Sequence, residues 1–237
     1  MSLRIAIRLG MKGGAEASAR GDVVIVVDVL RASSTIVAAL ASGMRAVVPV
    51  QATTAAGVPP EWITAGERDG RRIPGFQHGN SPLDLASRDY RDRTLYLTTT
   101  NGTAVIGSAR GAAGPILVGA LLNATAVAAT AARLARDEGR DITLLTAGHR
   151  GRPAVEDTVA ATAIGRRCPG GRFEGPLPPR PTNDLHGALL RSPAGRRLVD
   201  LGHRADVEFC ARVDLFTGVP VDSFGELVLT ETVSGRL

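Results

Sequence analysis

Cysteine is nearly absent: Cys168 and Cys210 are the only two in 237 residues, and they lie far apart without metal-ligand spacing. That argues against a disulfide framework or a zinc cluster and leaves both as core or free thiols. Long apolar runs are missing as well. The longest aliphatic stretch, Val23 to Val27, is far too short to span a bilayer, and residues 1–14 lack the continuous apolar core of a signal peptide. A soluble, cytoplasmic protein with no membrane partner is expected. Aromatic residues make up 3% of the chain, and Lys12 is the single lysine among 28 basic residues. The net charge of +5 therefore reflects an arginine bias, and the stacking platforms of a strand-binding groove are scarce. We expect no nucleic-acid partner; a positive field is better suited to drawing in a small polyanion.

What is present is enough apolar sequence, 44%, to bury a large core. Residues 3–9 alternate as a strand, 10–21 read as a glycine-bearing loop, and 22–29 contain the run Val23-Val24-Ile25-Val26-Val27. A continuous β-branched run marks a strand covered on both faces, hence a central one. An Ala-rich helix follows Asp28 and stops near Gly43. Further strands are expected at 44–50, 62–65, 94–98, 116–118 and 141–146, helices at 82–87, 102–109, 121–136 and 156–167, and a loop at 51–60. This alternation implies one α/β domain, a three-layer α/β/α arrangement around a mostly parallel, mixed sheet. Residues 168–182, CPGGRFEGPLPPRPT, read as a linker or cover loop. Helices at 184–190, 194–201 and 204–213 and two strands within 219–232 then form a C-terminal appendage, whose apolar strand face offers a homodimer contact.

Four polar clusters fall where strands pass into helices, the address of ligands in open α/β sheets. Asp28 follows an apolar strand and reads as a metal ligand, a nucleophile or a base, or else as a helix-initiating acid. Arg31 suits a bidentate grip on an oxyanion, and the hydroxyls of Ser33, Ser34 and Thr35 can add to it, although capping accounts for one of them equally well. The stretch GERDGRRIPGFQHGNSP, Gly66 to Pro82, brings Glu67, Arg68, Asn80 and Ser81 to one wall of an anion site, or forms an ordinary solvated turn. Thr100, Asn101 and Gly102 open a helix that Asn101 can cap. Glu156 and Asp157 head another, where the macrodipole alone favours acids. They also suit a hard divalent ion, which takes oxygen ligands. His149 and Arg150 read as an acid and a charge clamp, or as surface groups, while His78, His186 and His203 show no pattern. Together the clusters point to a metal-assisted reaction at a phosphate. There is no GxxxxGK[ST] loop and no GxSxG elbow. Cys168 and Arg172 are too close for a cysteine-phosphatase loop, and Asp28 lacks a second aspartate two residues on.

The blocks DVLRASSTI (28–36), GERDGRRIPGFQHGNSP (66–82), TTTNGT (98–103), AGHRGRPAVED (147–157) and DVEFCARVDLFTGVPV (206–221) resemble, in this order, the 2-phosphosulfolactate phosphatase family. The resemblance implies an α/β fold and a Mg2+-dependent phosphatase that converts 2-phosphosulfolactate to sulfolactate, a step in coenzyme M synthesis. Such a substrate carries phosphate, carboxylate and sulfonate on three carbons, which accounts for paired anion sites. We therefore expect Asp28, Glu67, Asn101 and Glu156 to be catalytic, and Asp28, Glu156 and Asp157 to hold Mg2+. Arg31, Ser33, Ser34, Arg68, Asn80, Ser81, Thr100, Gly102, His149 and Arg150 are the expected substrate-binding residues. One departure is Gln77, which stands where the family has the acid of GFD, and the segment 51–60 looks short. If that acid binds metal, affinity falls here; if it only orders the loop, little changes. Two alternatives stay open, a phosphatase for another small 2-phospho-hydroxy acid and a non-catalytic anion-binding protein. Water and Asp28 are equally open as the attacking group.

Overall fold

The computed structural model describes residues 3–111, 114–175 and 184–229. Leu3–Leu9 forms β1, and Gly10–Arg20 forms an α-helix, α1, in place of the expected loop. Its glycines serve close packing rather than a turn. Gly13 and Gly14 are buried, and a Cβ on Gly14 would collide with the Ser108 side chain of a neighbouring helix. Tertiary contact here overrides the poor helix propensity of glycine.

The VVIVV run forms β2 (Val23–Val27), with all five residues buried. Val23, Ile25 and Val27 enter one apolar core, while Val24 and Val26 enter another, so β2 divides two cores as its uninterrupted pattern requires. The chain continues through α2 (Ala32–Ala41), β3 (Ala46–Val50), β4 (Ile63–Arg68), β5 (Arg71–Arg72), α3 (Pro82–Ala86), β6 (Thr94–Thr98), α4 (Gly102–Ala109) and β7 (Ile116–Val118). A short 3-10 turn, Leu121–Asn123, leads into α5 (Ala124–Asp137), β8 (Ile142–Thr146), α6 (Val155–Gly165) and β9 (Gly171–Phe173). Last come α7 (Leu185–Arg191), α8 (Pro193–Asp200), α9 (Arg204–Cys210), β10 (Pro220–Ser223) and β11 (Glu226–Leu229).

The strands form one mixed, mostly parallel sheet in the order β5-β4-β6-β3-β11-β10-β7-β2-β8-β1-β9. The β10–β11 hairpin is antiparallel to both neighbours, so it joins two parallel blocks that run in opposite senses along the ladder. Both blocks pack on the apolar residues of α2 and α4. The final strands, expected in an appendage, thus lie in the middle of the sheet. Val221 and Leu227 are buried there, so the apolar face offered for a dimer is used within the chain. Residues 168–175 also differ from the expected linker, because β9 pairs with β1 at the sheet edge. Residues 176–182 of that segment, and 230–232 after β11, lie outside the described residues. Cys168 and Cys210 are free and buried, and burial pushes both thiols up to about 12. No helix among the described residues is long and apolar enough to cross a membrane.

Asn123 secures the junction with the C-terminal return. Its Oδ1 accepts from the Ala120 amide, and its Nδ2 donates to the carbonyls of Val118 and Gly218. Asn123 is fully buried, so truncation strands three backbone groups away from water. Asn123→Ala should lower the unfolding free energy by about 2–3 kcal/mol in urea. A loss below about 0.5 kcal/mol would remove this role.

Candidate active site

Asp28 stands at the carboxyl end of β2, before a helix. Its carboxylate accepts N–H bonds from Ala32 and Gly102, the first residues of α2 and α4. Free amides at helix N-termini favour a negative group. The approach requires glycine at 102, where a Cβ would lie 2.7 Å from Asp28 Oδ2 and 2.6 Å from Ala32 Cβ. The neighbouring hydroxyls, expected to bind substrate, serve the main chain. Ser33 Oγ accepts from the Asp28 amide and donates to Val26 O, Ser34 Oγ donates to Val29 O, and Thr35 Oγ1 donates to Asn80 O.

Three more acids gather around Asp28. Asp157 Oδ1 accepts from the Val29 amide at 2.9 Å and Oδ2 from the Gly148 amide at 3.0 Å. Glu67 Oε1 accepts from the Thr100 amide at 2.7 Å, and Oε2 accepts from the Gly70 amide at 2.7 Å and Thr100 Oγ1 at 3.0 Å. Glu156 differs: its buried Oε2 has no hydrogen-bond partner among the described residues. Burial first, then the charges of Glu67 and Glu156, push Asp28 from 3.8 up to about 7, against the pull of the Ala32 and Gly102 amides. Burial, with the charges of Asp28 and Glu156, likewise raises Asp157 well above the ordinary carboxylate range, opposed by the Val29 and Gly148 amides.

A cavity of about 310 Å3 opens beside these acids and is lined by Asp28, Asn101, His149, Glu156 and Asp157, together with Arg152 and Arg197. A smaller one of about 30 Å3 is lined by Arg31, Glu67, Asn80 and Thr100, and again by Asp28, Asn101 and Arg197. Groups from all four sequence clusters therefore meet. Asn101 occupies the N-cap position of α4 without making a side-chain capping bond, and it lines both cavities.

Other expected residues hold the walls instead of lining the space. Arg68 donates to the carbonyls of Glu67 and Ala52 and to Thr98 Oγ1. Ser81 caps α3 and donates to Asp206 Oδ1, whose Oδ2 accepts from Arg31 at 2.6 Å in a buried ion pair. Arg150 reaches across the surface to Asp69 at 3.7 Å, with both side chains mostly exposed. Gln77 lines neither cavity: its Oε1 accepts from the Thr64 amide at 2.8 Å, so it orders the loop beside β4. Arg152, Arg197 and Asp206 carry parts of the site that sequence reasoning missed. Asp206 lies in a block that resembles the family, whereas nothing local in the Pro193–Asp200 helix marks Arg197.

The donor set fits the Mg2+ implied by the family resemblance. No group of three or more His, Cys, Asp or Glu side chains among the described residues is arranged to hold a metal ion by itself. Two carboxylates do line the larger cavity with capacity to spare, Asp28 and the orphaned Glu156 Oε2. Mg2+ is commonly held by one or two carboxylates, with water and substrate phosphate completing its oxygen shell.

The family described as 2-phosphosulpholactate phosphatase matches residues 12–223, which take in every residue lining these two cavities. A protein of Symbiobacterium thermophilum named probable 2-phosphosulfolactate phosphatase is 37% identical over 233 residues, covering 89% of this chain and 95% of that protein. A protein of Thermotoga petrophila with the same name is 36% identical over 219 residues, 87% of this chain and 92% of its own. The 2-phosphosulfolactate phosphatase of Methanothermobacter thermautotrophicus is 38% identical over 215 residues, 88% of this chain and 90% of its own. From the length and the agreement of these matches, the chain belongs to the 2-phosphosulfolactate phosphatase family.

Proposed function

We propose that the protein is a Mg2+-dependent phosphatase that hydrolyses 2-phosphosulfolactate to sulfolactate and inorganic phosphate, in the cytoplasm and as a step of coenzyme M synthesis. The observation that carries this reading is that Asp28 and Glu156, far apart in sequence, line one cavity, and that Glu156 keeps a buried oxygen with no partner among the described residues. Repulsion among the acids leaves the site short of positive charge, and a divalent cation removes that deficit. Asp28 and Glu156 would hold Mg2+, which when bound offsets the phosphate charge and polarises the bond to be broken.

The remaining residues either position the chain or meet the substrate. The carboxylate of Asp157 is bonded to the Val29 and Gly148 amides and is assigned to positioning the β2 and β8 ends. Glu67 does the same for the Gly70 and Thr100 turns. Asn101, free of capping, presents its amide to a phosphate oxygen. Hydrolysis breaks the bond between phosphorus and the C2 oxygen, and His149, on the cavity wall, supplies the proton that the departing oxygen needs. Gln77 bonds to Thr64 and lies outside both cavities, so the loss of the family acid leaves metal affinity intact.

Purified protein should release phosphate from 2-phosphosulfolactate, lose that activity in chelator and regain it with Mg2+. Glu156→Gln should lower kcat/KM by about 100-fold or more at fixed Mg2+. Full activity in chelator, or in the variant, would remove the metal assignment. Asp28 generates a second expectation with a defined sign. Its proton is held more tightly in the folded chain than in the unfolded one, so its contribution to stability falls as pH rises from about 4 through about 7. Asp28→Asn should be inactive with Mg2+ present, yet in metal-free form it should melt at least about 3 °C above metal-free wild type at pH 8, with the gap closing towards pH 4. A variant that is less stable at pH 8 would contradict the repulsion.

A further inference from the structure

We propose that Arg197, on the helix that roofs the site, is the guanidinium that grips the reacting phosphoryl group. The inference rests on the phosphatase reading and goes beyond it by naming the cation. Arg197 lines both cavities, and the residues that the two cavities share besides it are Asp28, Leu30 and Asn101. It therefore stands at their junction, next to the acid and the amide assigned to the reaction. Its Nε is buried and has no hydrogen-bond partner among the described residues, a state that a folded chain normally avoids. An oxyanion at the junction would satisfy that donor.

Three neighbouring cations are engaged elsewhere, and Arg152 lines the larger cavity but not the smaller one. Arg31 is paired with Asp206, Arg68 is bonded to two carbonyls and a hydroxyl, and Arg150 is turned to Asp69 at the surface. Arg197 is also rigidly mounted. Ser192 caps α8 by accepting from the Gly195 amide, and any side chain at Gly195 would collide with the Leu189 carbonyl, so α8 is pressed onto the end of α7. Leu198 is buried, and with Leu201 it lies against Gly70, on the turn that Glu67 holds. This fixes the backbone that carries Arg197 against the Gly70 turn, and a planar guanidinium fork matches two oxygens of a phosphoryl group.

The larger cavity points to the acid group that Arg197 takes. At about 310 Å3 it has room for a tetrahedral anion beside Asp28 and Asn101, and the rest of the substrate extends towards Arg152 and Pro193.

The test compares wild type with Arg197→Gln, Arg197→Lys and, as a control, Arg196→Gln, which alters the exposed neighbour. Two substrates are used, 2-phosphosulfolactate and 2-phospholactate, which lacks the sulfonate. Calorimetric titration of inorganic phosphate in the presence of Mg2+ runs alongside. Arg197→Gln should lower kcat by about 100-fold or more on both substrates and weaken phosphate binding by about tenfold or more. Arg197→Lys should recover part of each loss, and Arg196→Gln should match wild type. Melting temperatures should stay within about 2 °C, because Arg197 Nε gives up no bond. A defect confined to KM for the sulfonated substrate would move Arg197 to the distal acid and overturn the inference, as would unchanged kcat and phosphate affinity. If wild type hydrolyses neither substrate, the phosphatase reading fails by itself, and the phosphate titration still decides the role of Arg197. Should Arg197→Gln fail to fold, the same titration of Arg197→Lys decides it, wild-type affinity counting against the grip.

Discussion

Repulsion between buried carboxylates is the constraint on which the rest of this structure depends. Asp28, Glu67, Glu156 and Asp157 come from three separate stretches of sequence into one poorly solvated region, where burial first and then the neighbouring acids raise the proton affinity of Asp28 and Asp157. The fold meets this cost with backbone amides. Asp28 takes those of Ala32 and Gly102, Glu67 those of Gly70 and Thr100, and Asp157 those of Val29 and Gly148. Each acid thereby ties two chain segments together, so the groups that make the site negative also set its shape. Of these four acids, Glu156 alone keeps a buried oxygen with no donor among the described residues.

The C-terminal third completes this arrangement from two directions. The β10–β11 hairpin fills the middle of the sheet, while α8 lines both cavities and α9 packs between α3 and α8. Arg31 and Asp206 join the two parts through an ion pair whose side chains are only 2% and 4% exposed. Such a pair contributes little net stability, but losing either member leaves an uncompensated buried charge, a loss of roughly 3–5 kcal/mol. Arg31 thus serves the site by fixing α9 against the β2–α2 junction.

Much of this was legible in the sequence wherever a local pattern dictated the structure. The VVIVV run gave away the central strand, the strand at 94–98 matched β6, and the acids at strand ends converged as their positions implied. Reading failed where long-range contact decides. Gly13 and Gly14 looked like a loop because glycine is a poor helix former, yet they let α1 approach Ser108. Ser33 and Ser34 were typed correctly as polar groups beside Asp28, but their hydroxyls face carbonyls that local sequence does not reveal. Arg197 was invisible for the same reason: a helix in SPAGRRLVD could be foreseen, but which arginine meets Asp28 depends on how α8 lies on α7 and Gly70.

The central claim is that a cation relieves the charge held on Asp28. It is tested most directly by Mg2+ titration calorimetry in buffers of different ionisation enthalpy, which counts the protons released on binding. With Asp28 near 7, close to one proton should leave at pH 6 and almost none at pH 8.5, and Asp28→Asn should abolish most of the release. Mg2+ binding with no proton release at pH 6, or with release unchanged in Asp28→Asn, would contradict it.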